Sequence, residues 1–203
     1  PGAFPEISSR SSYAERYQAG AVLMPYIGHT LGRAACCGDR APARRGLLAF
    51  FSCGDGSFQD GGDFDPHQSL AERVLLDPHG PIASMGATAM SHPYGNAILP
   101  RELGHAILDL REPTWGRALR TAQRNMVERI DDLRLTIDAA AEPYCTEPLD
   151  QLVFSHIVLY NLLGDPTMPL KLPPAEVRFA ELEGDLLPGQ TVRIRGRVRG
   201  DAE

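Results

Sequence analysis

The stretch "LLAFFSCGDGSF", residues 47–58, decides the fold. An unbroken apolar run from Leu47 to Phe51 meets Ser52, then Cys53, then a glycine-rich turn. A run without polar alternation reads as a strand buried on both faces, which is the habit of parallel sheets covered by helices. Free cysteine is among the most buried residue types. Cys53 is therefore either packing at the end of a strand or a thiol held at a strand tip for chemistry.

Two similar runs flank it. "AGAVLMPYIGHT", residues 19–30, is apolar from Ala21 to Ile27, interrupted by Pro25 and closed by Gly28; it reads as a buried strand ending at His29. "GPIASMGAT", residues 80–88, is a third apolar run with a small-residue exit. Between the second and third runs, Ser69 and Glu72 form a capping box for a helix over "LAERVLLD" that stops before Pro78. The order strand, strand, helix, strand predicts a mostly parallel α/β sheet flanked by helices.

Downstream, Thr114 reads as the N-cap of a helix over "WGRALRTAQRNMVERIDDLR", with Trp115, Leu119, Ala122, Met126, Ile130 and Leu133 on one apolar stripe. A second helix is expected over "LDQLVFSHIVLYNLL", residues 149–163, stopped by Gly164 and Pro166. His156 falls on its apolar face and reads as a satisfied core histidine. Upstream, "SYAERYQAG" suggests a short helix. From Pro173 the composition turns polar, and Val192–Val198 alternates apolar residues with Arg, as a half-exposed antiparallel strand does. Residues 1–172 are thus expected to form one domain. Residues 173–203 would be a linker and the first strand or strands of a β-sandwich-like domain.

The chain has 203 residues, 43% hydrophobic and 23% charged, which is ample for a core. A net charge of -6 argues against nucleic-acid binding, which calls for a basic face. No apolar run approaches the length of a membrane span, so neither nucleic acid nor membrane is an expected partner. Four cysteines (Cys36, Cys37, Cys53 and Cys145) are too few for a disulfide scaffold and lack zinc-site spacing. The opening "PGAFPEISSR" lacks an initiator Met, so a processed or cut start is expected.

Each of the three strands ends in something chemically suggestive: Gly28–His29–Thr30, Cys53–Gly54–Asp55–Gly56 and Gly86–Ala87–Thr88. In open α/β sheets, sites form outside the carboxyl ends of the strands. If the three strands are neighbours, His29, Cys53 and the Gly86 turn converge. A thiolate is the attacking form of cysteine, and a histidine base suits its activation near neutral pH. The N–H of Cys53 or Gly54, with one from the Gly28–Thr30 turn, would bind a developing oxyanion. His before Cys, each at a strand end, is the caspase-like order rather than the papain-like one.

Four segments carry a family resemblance: "YIGHT" at 26–30, "FFSCGDGSF" at 50–58, "SLAERVLLDPHGPIASMGAT" at 69–88, and "NLLGDPTMPL" at 161–170. Over roughly residues 20–172 the chain resembles the gingipain-type cysteine peptidases, a branch of the caspase-like fold. The resemblance implies that His29 is the catalytic histidine and Cys53 the nucleophile, with Gly28, Thr30 and Gly54 bordering the oxyanion site. It implies that the turn from Met85 to Asn96, with Met85, Gly86, Ala87, Thr88 and His92, lines the pocket for the residue before the scissile bond. It also implies a secreted or cell-envelope setting, a protein or peptide substrate, and a β-sandwich after the catalytic domain. Upstream strands, and any residue that orients the histidine, would come from a preceding segment or a second chain.

Two features depart from the family pattern. Thr30 stands where the family usually has glycine after the histidine. The Met85–Asn96 turn holds no acid for a basic substrate residue, which leaves Asp55 or Asp63 to reach in. No cofactor is required, although Asp55, Asp60, Asp63 and Asp65 crowd a loop that would suit a structural calcium ion. The alternative reading is an inactive caspase-like module that binds or scaffolds within a larger protein.

Overall fold

The computed structural model describes residues 23–27, 46–58, 68–170, 172, 176–183 and 193–199. Four strands form the sheet of the first unit: β1 (Leu23–Ile27), β2 (Leu47–Phe51), β3 (Ala83–Ala87) and β4 (Tyr160–Gly164), in spatial order β1-β2-β3-β4. The first two pairings are parallel and the β3/β4 pairing is antiparallel. All five residues of β2 are buried, as expected of a strand with apolar side chains on both faces.

The chain divides into two compact units, Pro1–Leu170 and Lys171–Glu203. In the second, β5 (Glu176–Glu183) and β6 (Arg193–Arg199) form an antiparallel pair whose register shifts between Phe179 and Glu181.

Helix α1 (Leu70–Leu76) begins as the sequence requires: Ser69 accepts from the Glu72 N–H, and the Glu72 carboxylate takes the Ser69 N–H at 2.8 Å. Helix α2 (Pro93–Leu108) is an addition to the sequence reading. It carries Pro100 internally and buries residues from Tyr94 to Ile107 on more than one side, so no polar face marks its period.

Two long helices expected from the sequence are shorter. Helix α3 (Trp115–Glu128) has Thr114 as its N-cap and buries Trp115, Leu119, Ala122 and Met126. It stops at Arg129, and Asp131 caps a separate helix α4 (Asp132–Ala141). Ile130 and Leu133 therefore leave the apolar stripe and are 54% exposed. Helix α5 (Leu149–Leu159) passes directly into β4 at Tyr160, so Tyr160 and Leu163 are strand residues. The apolar run serves both elements, and period alone does not separate a buried helix from a buried strand.

Buried polar groups fasten the helices to one another. Glu102 is fully buried on α2 and pairs with Arg101 at 3.1 Å and with Arg129, at the end of α3, at 3.2 Å. Arg134 joins three elements: it donates to the Met126 carbonyl at 2.7 Å, to Asp138 at 2.8 Å and to the Tyr94 hydroxyl at 3.0 Å. Tyr94 in turn donates to Asp138 at 2.7 Å. Burial first, and that bond second, push its phenol up to about 12.

The short segment "GDPTMP" docks on the start of α3. Asp165 accepts from both the N–H and the hydroxyl of Thr167, and Gly116 N–H donates to the Pro166 carbonyl at 2.9 Å. A β-carbon on Gly116 would lie 2.7 Å from the Pro166 ring.

Arg134→Met should lower stability by about 2–3 kcal/mol, because it leaves the Met126 carbonyl without its donor and removes the cation beside Asp138. Urea unfolding checks the value. An unchanged midpoint would mean that the cluster adds nothing.

Candidate active site

The carboxyl ends of β1 and β2 are level, since Ile27 pairs with Phe51 in a parallel register. Neighbouring strands run about 4.8 Å apart. Cys53 follows Phe51 by two residues and is half-buried. His29 follows Ile27 by the same two residues of sequence. It lies outside the described residues, as do Gly28, Thr30, Cys36, Cys37, Asp60, Asp63, Asp65 and the expected helix near residues 12–20.

β2 and β3 pair only through Leu47, Leu48 and Ala49 with Ala83, Ser84 and Met85. Beyond that point the chain after Cys53 turns back along the end of β3. Gly56 N–H donates to the Ala87 carbonyl at 2.9 Å and Gly54 N–H to the Ala89 carbonyl at 3.0 Å. The turn needs a left-handed residue, and Gly54 supplies it with φ at 69°. It also needs contact between two bare backbones. A β-carbon on Gly56 would lie 2.6 Å from the Gly86 oxygen, and one on Gly86 would lie 2.8 Å from the Gly56 nitrogen.

This geometry corrects two expectations. Gly54 N–H is engaged by Ala89, so it is not an oxyanion donor in this conformation. Asp55 is 1% exposed and does not line a surface pocket. It accepts from the Ser52 hydroxyl, while its carbonyl takes the Ala71 N–H at 2.8 Å and ties the loop to α1. Among the described residues, no group of three or more His, Cys, Asp and Glu side chains is placed to hold a metal ion.

The segment 85–96 is not one turn. Met85, Gly86 and Ala87 are the last three residues of β3, all buried, and 93–96 is the first turn of α2. The connection is residues 88–92, which is clamped at both ends. Thr88 donates its N–H to the Leu159 carbonyl at 3.0 Å and its hydroxyl to the same atom at 3.2 Å. His92 N–H donates to His156 Nε2 at 3.0 Å, and His92 Nδ1 caps α2 by accepting from Tyr94 N–H. Met90, at the middle, is 84% exposed.

His156 is the core histidine that the helical pattern predicts. It is 1% exposed, and its other nitrogen meets the Leu152 carbonyl at 2.7 Å. Nε2 also lies 3.0 Å from the His92 carbonyl, so the ring meets two carbonyls and one N–H. Burial depresses its pKa below the ordinary histidine value. Gly95 is required beside it, since a β-carbon there would lie 2.3 Å from the ring. His105, by contrast, pairs with Asp109 at 2.6 Å on the outside of α2.

The sulfur of Cys53 faces Ser91. Its thiol donates to the Ser91 carbonyl at 3.4 Å, and the Ser91 hydroxyl lies 3.7 Å from Sγ as a donor. Behind Ser91, Asn96 Nδ2 donates to the Ser91 hydroxyl at 2.8 Å, and the Tyr160 hydroxyl donates to Asn96 Oδ1 at 2.6 Å. Ser91, Asn96 and Tyr160 are all buried. Sequence reasoning missed this group. The sequence signal available was Ser91–His92–Pro93, a capping residue with proline at the first helical position, which marks the start of α2.

A thiol just past the carboxyl end of an inner parallel strand, in an α/β sheet flanked by helices, is consistent with the caspase-like fold. The sequence pattern of peptidase family C25 matches residues 4–171, and the chain belongs to that family. It is a gingipain-like cysteine peptidase domain. Two solved structures are similar to it. One is the Arg-specific cysteine proteinase gingipain R, 13% identical with a TM-score of 0.57, matched over 87% of this chain and 40% of its own. The other is the complex of the pro- and mature domains of the Porphyromonas gingivalis enzyme RgpB, 14% identical with a TM-score of 0.59, matched over 87% and 41%. The chain thus spans about two fifths of the length of these structures. No curated protein sequence matches it.

Gly56→Ala should displace the Cys53 loop from β3 and lower the melting temperature by several degrees; an unshifted melt, with the Cys53 alkylation rate unchanged, would show that the loop yields freely. The neutral form of His156 supports stability fully above about pH 6.5, the ordinary histidine value, and that support is lost as pH falls from there through the lower folded pKa. His156→Gln, which keeps an acceptor for His92 N–H but cannot titrate, should flatten the fall in melting temperature between about pH 7 and 5 relative to the parent chain.

Proposed function

We propose that the chain is a cysteine endopeptidase in which Cys53 is the nucleophile and His29 the proton carrier. The observation that carries this reading is the level register of β1 and β2, from whose carboxyl ends His29 and Cys53 each follow by two residues. Cys53 loses its proton to His29, and the sulfur attacks the peptide carbonyl carbon. The C–N bond breaks, the amine leaves with the proton from His29, and a thioester remains. Water then attacks the thioester, releasing the acid and restoring the thiol.

With Gly54 N–H engaged by Ala89, the oxyanion falls to Cys53 N–H and a donor from the Gly28–Thr30 turn. The exposed part of 88–92 borders the substrate. A preceding segment or a second chain would complete the sheet, and a secreted or cell-envelope setting goes with the reading.

The test is hydrolysis of a mixed peptide library by the chain, followed by mass spectrometry. Cys53→Ala should abolish cleavage, and His29→Ala should lower it by about 10²–10⁴-fold. Iodoacetamide should label Cys53 well ahead of Cys145. Absent cleavage, with Cys53 labelled no faster than Cys145, would leave the alternative of an inactive binding or scaffolding module.

A further inference from the structure

The donors behind Cys53 all point one way. Tyr160 O–H donates to Asn96 Oδ1, Asn96 N–H to Ser91 Oγ, and Ser91 O–H to Cys53 Sγ, over 2.6, 2.8 and 3.7 Å. Each acceptor in the chain is also the residue that donates onward, so each bond polarises the next. With Asn96 Nδ2 toward Ser91 and Oδ1 toward Tyr160, the Ser91 proton is left for the sulfur; the opposite amide orientation would take that proton on Oδ1 instead. The elements that supply the group are separate: the 88–92 connection, the first turn of α2, and the first residue of β4. Tyr160 is fixed further by its ring, which lies 5.8 Å from Phe51 and 6.0 Å from His156, centroid to centroid.

We propose that Ser91 is a positioning residue for the Cys53 sulfur, and that Asn96 and Tyr160 act through it to favour the thiolate. The inference rests on the reading of Cys53 as nucleophile. Ser91 meets the sulfur with two groups of opposite character. Its carbonyl accepts from the thiol at 3.4 Å and so holds the protonated form in place. Its hydroxyl donates toward the sulfur and so favours the charged form. When the proton leaves, the carbonyl contact loses its hydrogen and turns repulsive. The sulfur then shifts by a small torsion toward the hydroxyl. The two states of the nucleophile thus have two adjacent partners on one residue. Tyr160 can feed this chain because it stays a donor: burial raises its phenol pKa far above neutral.

The test is the pH profile of iodoacetamide alkylation at Cys53, read by peptide mass with Cys145 as internal reference. Ser91→Ala should move the profile up by about one pH unit, a roughly tenfold slower reaction at neutral pH. Ser91→Thr, which keeps the hydroxyl, should restore most of the rate. Tyr160→Phe keeps the ring packing and removes only the first donor, so it should shift the profile in the same direction by less. It also carries the test if Ser91→Ala does not fold, as judged by a thermal melt. Unmoved profiles in folded variants would overturn the proposal, whatever happens to the melting temperature. His29→Ala separates the two readings. A shift with Ser91→Ala but none with His29→Ala keeps the relay and removes the dyad; the reverse keeps the dyad and overturns the relay.

Discussion

Two backbone hydrogen bonds, Gly54 N–H to the Ala89 carbonyl and Gly56 N–H to the Ala87 carbonyl, lash the loop after Cys53 to the end of β3. They exist only because Gly56 and Gly86 carry no side chains where the two backbones meet. β2 and β3 part after three paired residues, and the returning loop fills the gap that parting opens. The same loop takes up the first turn of α1 through Asp55. A single strand exit thereby fixes the sulfur, one helix start and the direction of the following chain. Crevices of this kind, at the carboxyl ends of parallel strands, are where α/β sheets place their chemistry.

Much of the architecture was legible because the local signals were unambiguous. The capping box at Ser69 and Glu72, the cap at Thr114 and the buried runs at 47–51 and 83–87 all have local physical causes. The reading failed where one apolar run served two elements, as at Tyr160, and where a helix was buried on several sides, as from Pro93 to Leu108. It also overran the end of α3, because apolar spacing continued past a break that Asp131 caps. Tertiary burial, rather than propensity, decided these segments.

At the site, the sequence identified Cys53 as a strand-tip residue but not what lies behind it. Ser91 and Asn96 flank a helix start, but Tyr160 is 64 residues beyond Asn96, and hydrogen-bond partners across elements leave no spacing to read. The family resemblance implies a pocket role for Met85 and Ala87, and both are buried residues of β3. Asp55 looked like a free loop acid, and its burial shows a structural task.

The connection 88–92 is held at Thr88 by the end of α5 and at His92 by a buried histidine of the same helix. Fixing the backbone of five residues costs roughly 5–10 kcal/mol in conformational entropy. Here that ordering takes place when the domain folds, under the driving force of the core. Nothing of it is left to be met when a ligand arrives. The wall on the β3 side of Cys53 is therefore set before any encounter.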